Sequence, residues 1–414
     1  MPDRRRRRNR GSIAPPLPAL ATVVVLVVAS AAAPAWATTV RTEDQRFSWQ
    51  GFLALSSGDE YGTYLSMGQA ATGVGLAVVT ATAGAVAQLS YSPSAGWQQT
   101  AETHPNSYQH IPVALDGSQG AFALRDAVTD LTTIYDAVTG DPLVTDLDDY
   151  VFAVAIKGDV LAIGQSNLGA GRVRIYEKTA GTWHLAKTFV GTGGEQLGAS
   201  LAVGESMVVA GAPWAGPGIN GVVRIYVRGA QWVLAQTIES PAISQTSAVF
   251  GRALALEGDW LAVGSPWVDR VTSLPGQLPL INVGAVYIYT PGASGWEMAT
   301  LLRPPELSDN ANFGTSVALH GIALAAGAWG DRAAYLYLRS GSLWQRHLRL
   351  EGSVSEFGLG KSVALGDLGV LVGNPTATVD GVQEGAVLFY KGIVPFFYDS
   401  FETGNLTAWS AKTP

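Results

Sequence analysis

No cysteine occurs anywhere in this 414-residue chain. Disulfide staples, thiolate nucleophiles and thiolate metal centres are thereby excluded, and the fold must be held by its core alone. Charge is scarce as well: 14% of residues are charged, and Asp plus Glu outnumber Lys plus Arg by 33 to 26. A formal net charge of −7 is the wrong sign for phosphate backbones, so nucleic acid is not an expected partner. The five histidines (104, 110, 184, 320 and 347) are scattered, without metal-binding spacing. Gly-x-Ser-x-Gly elbows and phosphate-cradling glycine loops are missing too, so no cofactor, no metal and no enzymatic activity are expected.

What is present begins with an address. Arg4 to Arg8 and Arg10 form a basic region, Ala19 to Ala33 are apolar, and Ala35-Trp36-Ala37 places small residues before Thr38. That order is the signature of a secretory signal peptide over residues 1–37, with cleavage expected after Ala37. The apolar run is about 15 residues, short of the roughly 20 that a membrane span needs, and no later run is long enough. Cleavage would bring the net charge to about −12 and deliver a secreted, periplasmic or cell-envelope protein with no transmembrane span.

The remainder, residues 38–395, is glycine-rich, with short apolar runs punctuated by Gly, Pro, Asn and Asp. Many short strands joined by turns follow from that pattern, an all-β fold. The runs repeat. Phe250-Gly251 leads through Leu256-Glu257-Gly258-Asp259 to Gly264-Ser265-Pro266, then to Gly284-Ala285-Val286-Tyr287-Ile288-Tyr289 and Trp296. The same order runs from Phe313-Gly314 through Gly327-Ala328-Trp329 to Trp344, and from Leu197-Gly198 through Gly211-Ala212-Pro213 to Trp232. Weaker copies start near 61, 109, 150 and 359. Each unit holds four apolar runs, which predicts a seven-bladed β-propeller of four-stranded antiparallel blades. The last unit lacks its fourth run, and the segment from Phe47 to Glu60 supplies one, so an N-terminal strand is expected to close the ring and remove its open edges.

Gly158, Gly204, Gly258, Gly321 and Gly366 fall between the first and second runs, where a tight turn with positive φ suits glycine. Tryptophans 49, 97, 183, 232, 296 and 344 recur in the fourth runs and are expected to pack between adjacent blades.

Phe-Gly at the start of a unit and Gly-Ala-Pro after its second run resemble the FG-GAP repeat. The resemblance is nearest to its bacterial, calcium-poor form and more distant from the propeller of integrin α chains. It implies a seven-bladed fold and a leaning toward extracellular interaction, without naming a partner. Integrin-like repeats hold calcium in an Asp-rich loop between first and second strands. Here those links are short and poor in carboxylates, so the resemblance carries no metal with it. Asp146, Asp148 and Asp149 form the one dense acidic cluster, expected as a solvated turn. The tail, 396–414, is similar to a short ending found on many bacterial secreted proteins, and reads equally as a sorting tag or as a strand packed on the last blade.

Three strong units place a tryptophan where the loop after the second run begins: Trp214, Trp267 and Trp329. Two continue with opposite charges, Asp269-Arg270 and Asp331-Arg332. Aromatics beside Asp and Arg suit an unknown protein or glycan partner; equally, the rings plug gaps between blades while the charges pair locally. The expected function is an exported interaction or adhesion propeller binding through this loop face. The alternative is a carbohydrate-binding or carbohydrate-active (hydrolase or lyase) propeller.

Overall fold

The computed structural model describes residues 39–42, 45–47, 64–69, 75–80, 86–92 and 96–103, and residues 111–392 apart from short gaps at 118, 127, 166–168, 243–246, 271–277, 353–356, 380–381 and 384. The leader, Trp49, the stretch 48–60 and the tail 396–414 lie outside the described residues. No helix among the described residues is long and apolar enough to cross a membrane.

The chain is an all-β propeller. A typical sheet is that of Ser200–Gly204, Met207–Ala212, Val222–Arg228 and Trp232–Glu239, hydrogen-bonded in that order and antiparallel throughout. The innermost strands are Tyr64–Gln69, Val113–Asp116, Val151–Lys157, Ser200–Gly204, Ala253–Glu257, Phe313–His320 and Ser362–Gly366. Each packs on the next and the last packs on the first, so the ring is closed around a central channel.

Two departures from the expected regularity stand at the outer edges. Six sheets have four antiparallel strands, but the sheet led by Phe313–His320 has five, because Thr39–Thr42 adds in parallel to its outer strand Leu343–Glu351. Seven uniform four-stranded blades are therefore corrected to six of that form. The cause is the row of unpaired N–H and C=O groups that any outer strand presents. The closing strand is Gln45–Phe47, antiparallel to Ala386–Lys391, so it sits upstream of the segment singled out from Phe47 onward.

Second strands are apolar along most of their length because neighbouring sheets cover both their faces. Val160, Leu161, Ala162 and Ile163 are fully buried, as are Leu261, Ala262 and Val263. Burying each Val, Leu or Ile side chain contributes about 1.5–3 kcal/mol. The core is accordingly divided among the seams: Val160, Ala162 and Ile175 of one sheet meet Leu201, Val203, Val208 and Ala210 of the next.

The motif glycines mark where those seams are tightest. A Cβ added to Gly164, Gly211, Gly264 or Gly327, late in the second strand, would stand 1.9–2.1 Å from the carbonyl oxygen of Gly198, Gly251, Gly314 or Gly360 in the next sheet. Those four partners adopt φ between 82° and 92°, a left-handed conformation that glycine accepts without strain. Each is also tied into its own sheet, as when the Gly251 N–H donates to the Gly264 carbonyl at 3.1 Å. The preceding Phe250 and Phe313 are fully buried and meet Tyr287 and Tyr335 edge-on.

Turn glycines 158, 258 and 321 have φ of 55°, 54° and 58°. Gly204 and Gly366 do not take positive φ; they are the last residues of their first strands, and the turn falls after them. The described fourth-strand tryptophans pack toward the preceding sheet: Trp97 against Phe389, Trp344 against Trp260, and Trp232 with its Nε1 donating to Glu177 at 2.8 Å.

Candidate functional site

Each second strand ends near one mouth of the central channel. Pro213 and Pro266 lack an N–H to continue the ladder, so the chain leaves the sheet there and the following tryptophan comes to the mouth. Trp329 reaches the same place in a single 3₁₀ turn, Trp329–Asp331. The three tryptophans, from three successive sheets, line one open cavity of about 950 Å³.

Trp214 and Trp267 meet edge to face, their ring centres 5.5 Å apart. Trp214 is fixed further by its Nε1, which donates to Gln196 Oε1 at 3.0 Å, whereas Trp267 remains 40% exposed. Trp329 meets Phe357 edge-on at 5.3 Å, and the Lys361 ammonium lies 5.3 Å from the centre of the Trp329 ring. Arg252, exposed, completes the polar part of the lining.

The charged residues expected beside these rings do not line the cavity. Arg270 is spent on backbone, donating to the carbonyls of Pro305 at 2.8 Å and Leu307 at 2.9 Å. Asp269 accepts from the Asn282 N–H at 2.9 Å. Asp331 accepts from the Ser308 hydroxyl at 2.6 Å and the Tyr335 hydroxyl at 3.3 Å. Arg332, at φ 57°, holds its guanidinium 5.9 Å from the Phe357 ring centre. The two Asp–Arg pairs thus shape the loops behind the tryptophans.

Arg252, Lys361 and Gln196 were not singled out from the sequence, although the repeat register held the signal for two of them. Arg252 and Lys361 each follow the Phe-Gly or Leu-Gly glycine, and Ala199 and Thr315 occupy the same register and line the same cavity. Glu195, beside Trp214 in an adjoining open pocket, is bound to Arg224 at 3.0 Å and to Thr192. Burial opposes its ionisation, but the bonds from Thr192 and Arg224 outweigh burial and hold its carboxyl below the usual range.

The opposite mouth differs in character. Its cavity of about 440 Å³ is lined by Asp116, Lys157, Glu257, His320 and Asp367 among others. Lys157 pairs with Asp116 at 3.7 Å and His320 Nε2 lies 2.6 Å from Asp367, each pair joining neighbouring sheets. The acidic cluster at 146–149 also joins sheet elements: Asp148 meets Arg174 at 3.1 Å, and Asp149 pairs with Arg172. Among the described residues, no group of three or more His, Asp or Glu is placed to hold a metal ion.

The chain matches no known protein family, and no curated protein matches it. Solved structures do resemble it. U3-55K aligns with a TM-score of 0.55 at 14% identity, over 83% of this chain and 98% of that one. The WD40 repeats of RRP9 align with a TM-score of 0.55 at 13% identity, over 85% of this chain and 99% of that one. At such identities the likeness is one of fold, the β-propeller.

Proposed function

We propose that this chain is an exported, non-enzymatic interaction propeller that captures an extracellular or envelope ligand at the tryptophan-lined mouth. One observation carries the reading: Trp214, Trp267 and Trp329, from three successive sheets, converge on a single open cavity. Tryptophan supplies large contact area at low entropic cost and is enriched where binding energy concentrates. Export rests on the leader pattern of residues 1–37. Membership among FG-GAP-like propellers rests on the Phe-Gly and Gly-Ala-Pro positions, whose glycines meet at the sheet seams. The sheet led by Phe313–His320 is read as one more blade with an added edge strand. On that reading the ring has seven blades, an order supported by the circular packing of the inner strands.

Glycoside hydrolysis calls for two carboxylates flanking the bond. The described residues lining the tryptophan mouth include no Asp or Glu, which favours capture over cleavage there. The test is a binding screen of the exported protein against glycans and extracellular proteins, repeated with a Trp267→Ala/Trp329→Ala double variant of unchanged circular dichroism. The expected outcome is a ligand that the double variant loses. A ligand retained at full affinity by the double variant would move the site away from this mouth.

A further inference from the structure

The two mouths of the channel carry opposite charge, and that polarity defines what the tryptophan mouth takes. Among its described lining residues are Arg252 and Lys361, both exposed, and no carboxylate, in a chain whose net charge is −7. The opposite mouth holds three carboxylates, Asp116, Glu257 and Asp367, against Lys157, which pairs with Asp116, and His320, which meets Asp367, so its balance is negative. Glu195, which shares the side pocket with Trp214, is already bound by Arg224 and Thr192.

The cationic groups follow the seam glycines Gly251 and Gly360, in sheets separated by the one that carries Trp329. Lys361 stands against the Trp329 ring, and Trp267 lies in the same sheet as Arg252. Positive groups therefore alternate with ring faces along an arc of the rim. A ligand suited to that arc is a chain of flat, amphipathic units bearing negative charge at intervals. Electrostatic attraction then sets encounter and register while the rings supply contact area.

We propose that the ligand of this mouth is an acidic polysaccharide, a chain of uronate sugars, whose carboxylates meet Arg252 and Lys361 while its sugar faces lie on the tryptophans. This rests on the reading that the mouth is the binding site. An acidic peptide shares the charge, but peptide recognition is typically anchored by side chains seated in well-packed desolvated pockets. This lining instead offers half-exposed ring faces and point charges.

The experiment is a titration of the full exported protein, followed by intrinsic tryptophan fluorescence, with three probes: an oligogalacturonate, a neutral β-glucan oligomer of equal length, and poly-glutamate. Saturable quenching by the oligogalacturonate is expected, weakening several-fold as salt rises and the charges are screened. Binding by the neutral oligomer is expected to be at least about tenfold weaker, the size of one lost charge-assisted contact. Arg252→Gln/Lys361→Gln should lose about tenfold or more toward oligogalacturonate by the same measure, with an unchanged urea midpoint. Equal binding of the neutral oligomer, indifferent to Arg252→Gln/Lys361→Gln but abolished by Trp267→Ala/Trp329→Ala, would overturn the charge inference and leave the mouth standing. Poly-glutamate binding as tightly as oligogalacturonate would overturn the sugar in favour of an acidic peptide. Quenching by none of the three overturns the inference outright. Oligogalacturonate binding unchanged in the tryptophan double variant overturns the mouth as well.

Discussion

Gly211 and Gly251 touch across two neighbouring sheets, so closely that a Cβ on Gly211 would stand 2.0 Å from the Gly251 carbonyl oxygen. The opposing atom is backbone and cannot swing aside. Gly211→Ala is expected to cost at least about 3 kcal/mol, the upper end of overpacking penalties. Gly158→Ala is the control: its φ is 55°, yet nothing lies within 4 Å of the added methyl, so only the left-handed strain of about 1–2 kcal/mol applies. Urea midpoints of the two variants, measured side by side, check the ranking.

Tryptophans at two depths should separate stability from binding. Trp344 is 7% exposed and packs edge-on against Trp260 of the preceding sheet, at 5.7 Å. Its replacement by alanine is expected to cost about 3–5 kcal/mol. Trp267, at 40% exposure, should cost under about 1 kcal/mol on replacement while weakening the ligand. Urea unfolding and ligand titration of both variants form the measurement.

Acid should loosen the loop that carries Glu195. Its carboxyl is held below the ordinary value of 4.5 in the folded chain, so its ionised form contributes stability that is present above about 4.5. That contribution is lost as pH falls through the lower folded value. Glu195→Gln should lower stability near neutrality and flatten the profile toward acid, with no acid-dependent loss left at this site. Urea midpoints measured from pH 3 to pH 7 would show whether the two curves converge at the acid end.

Arg270 is expected to govern the long loop behind Trp267. With its guanidinium removed, the carbonyls of Pro305 and Leu307 lose their donors and the loop loses its tie to the neighbouring connection. Arg270→Ala should therefore speed limited proteolysis between Trp267 and Val283 while the sheets remain intact, read by peptide mass after brief digestion.

The all-β propeller class and the arrival of three tryptophans at one mouth were legible because they follow local rules. Apolar runs bounded by glycine make strands, and a proline after the second strand ejects the chain before Trp214 and Trp267, while Trp329 keeps the same repeat register. What was not legible came from pairings across sheets. Nothing local in Thr39–Thr42 says that it will lie parallel to Leu343–Glu351, since an open edge accepts backbone whatever the side chains are. The Asp269-Arg270 and Asp331-Arg332 pairs read as surface chemistry but bind loop carbonyls, hydroxyls and N–H groups that come from distant segments. Conversely, Arg252 and Lys361 were hidden in a motif whose glycines drew the eye, although their shared register places both at the mouth.

The first described strands of the chain find partners only in the last two sheets: Thr39–Thr42 with Leu343–Glu351, and Gln45–Phe47 with Ala386–Lys391. In biosynthesis those segments are made long before their partners, so the ring cannot be sealed until Ala386–Lys391 has been made. The closing step is a contact between distant parts of the sequence, the slowest kind to form and the one most exposed to interruption. A chain cut short before Ala386 would keep an unsealed gap and leave Gln45–Phe47 without its partner, while Thr39–Thr42 could still pair with Leu343–Glu351. The clasp formed by Gln45–Phe47 thereby makes synthesis through Lys391 a condition of a sealed ring.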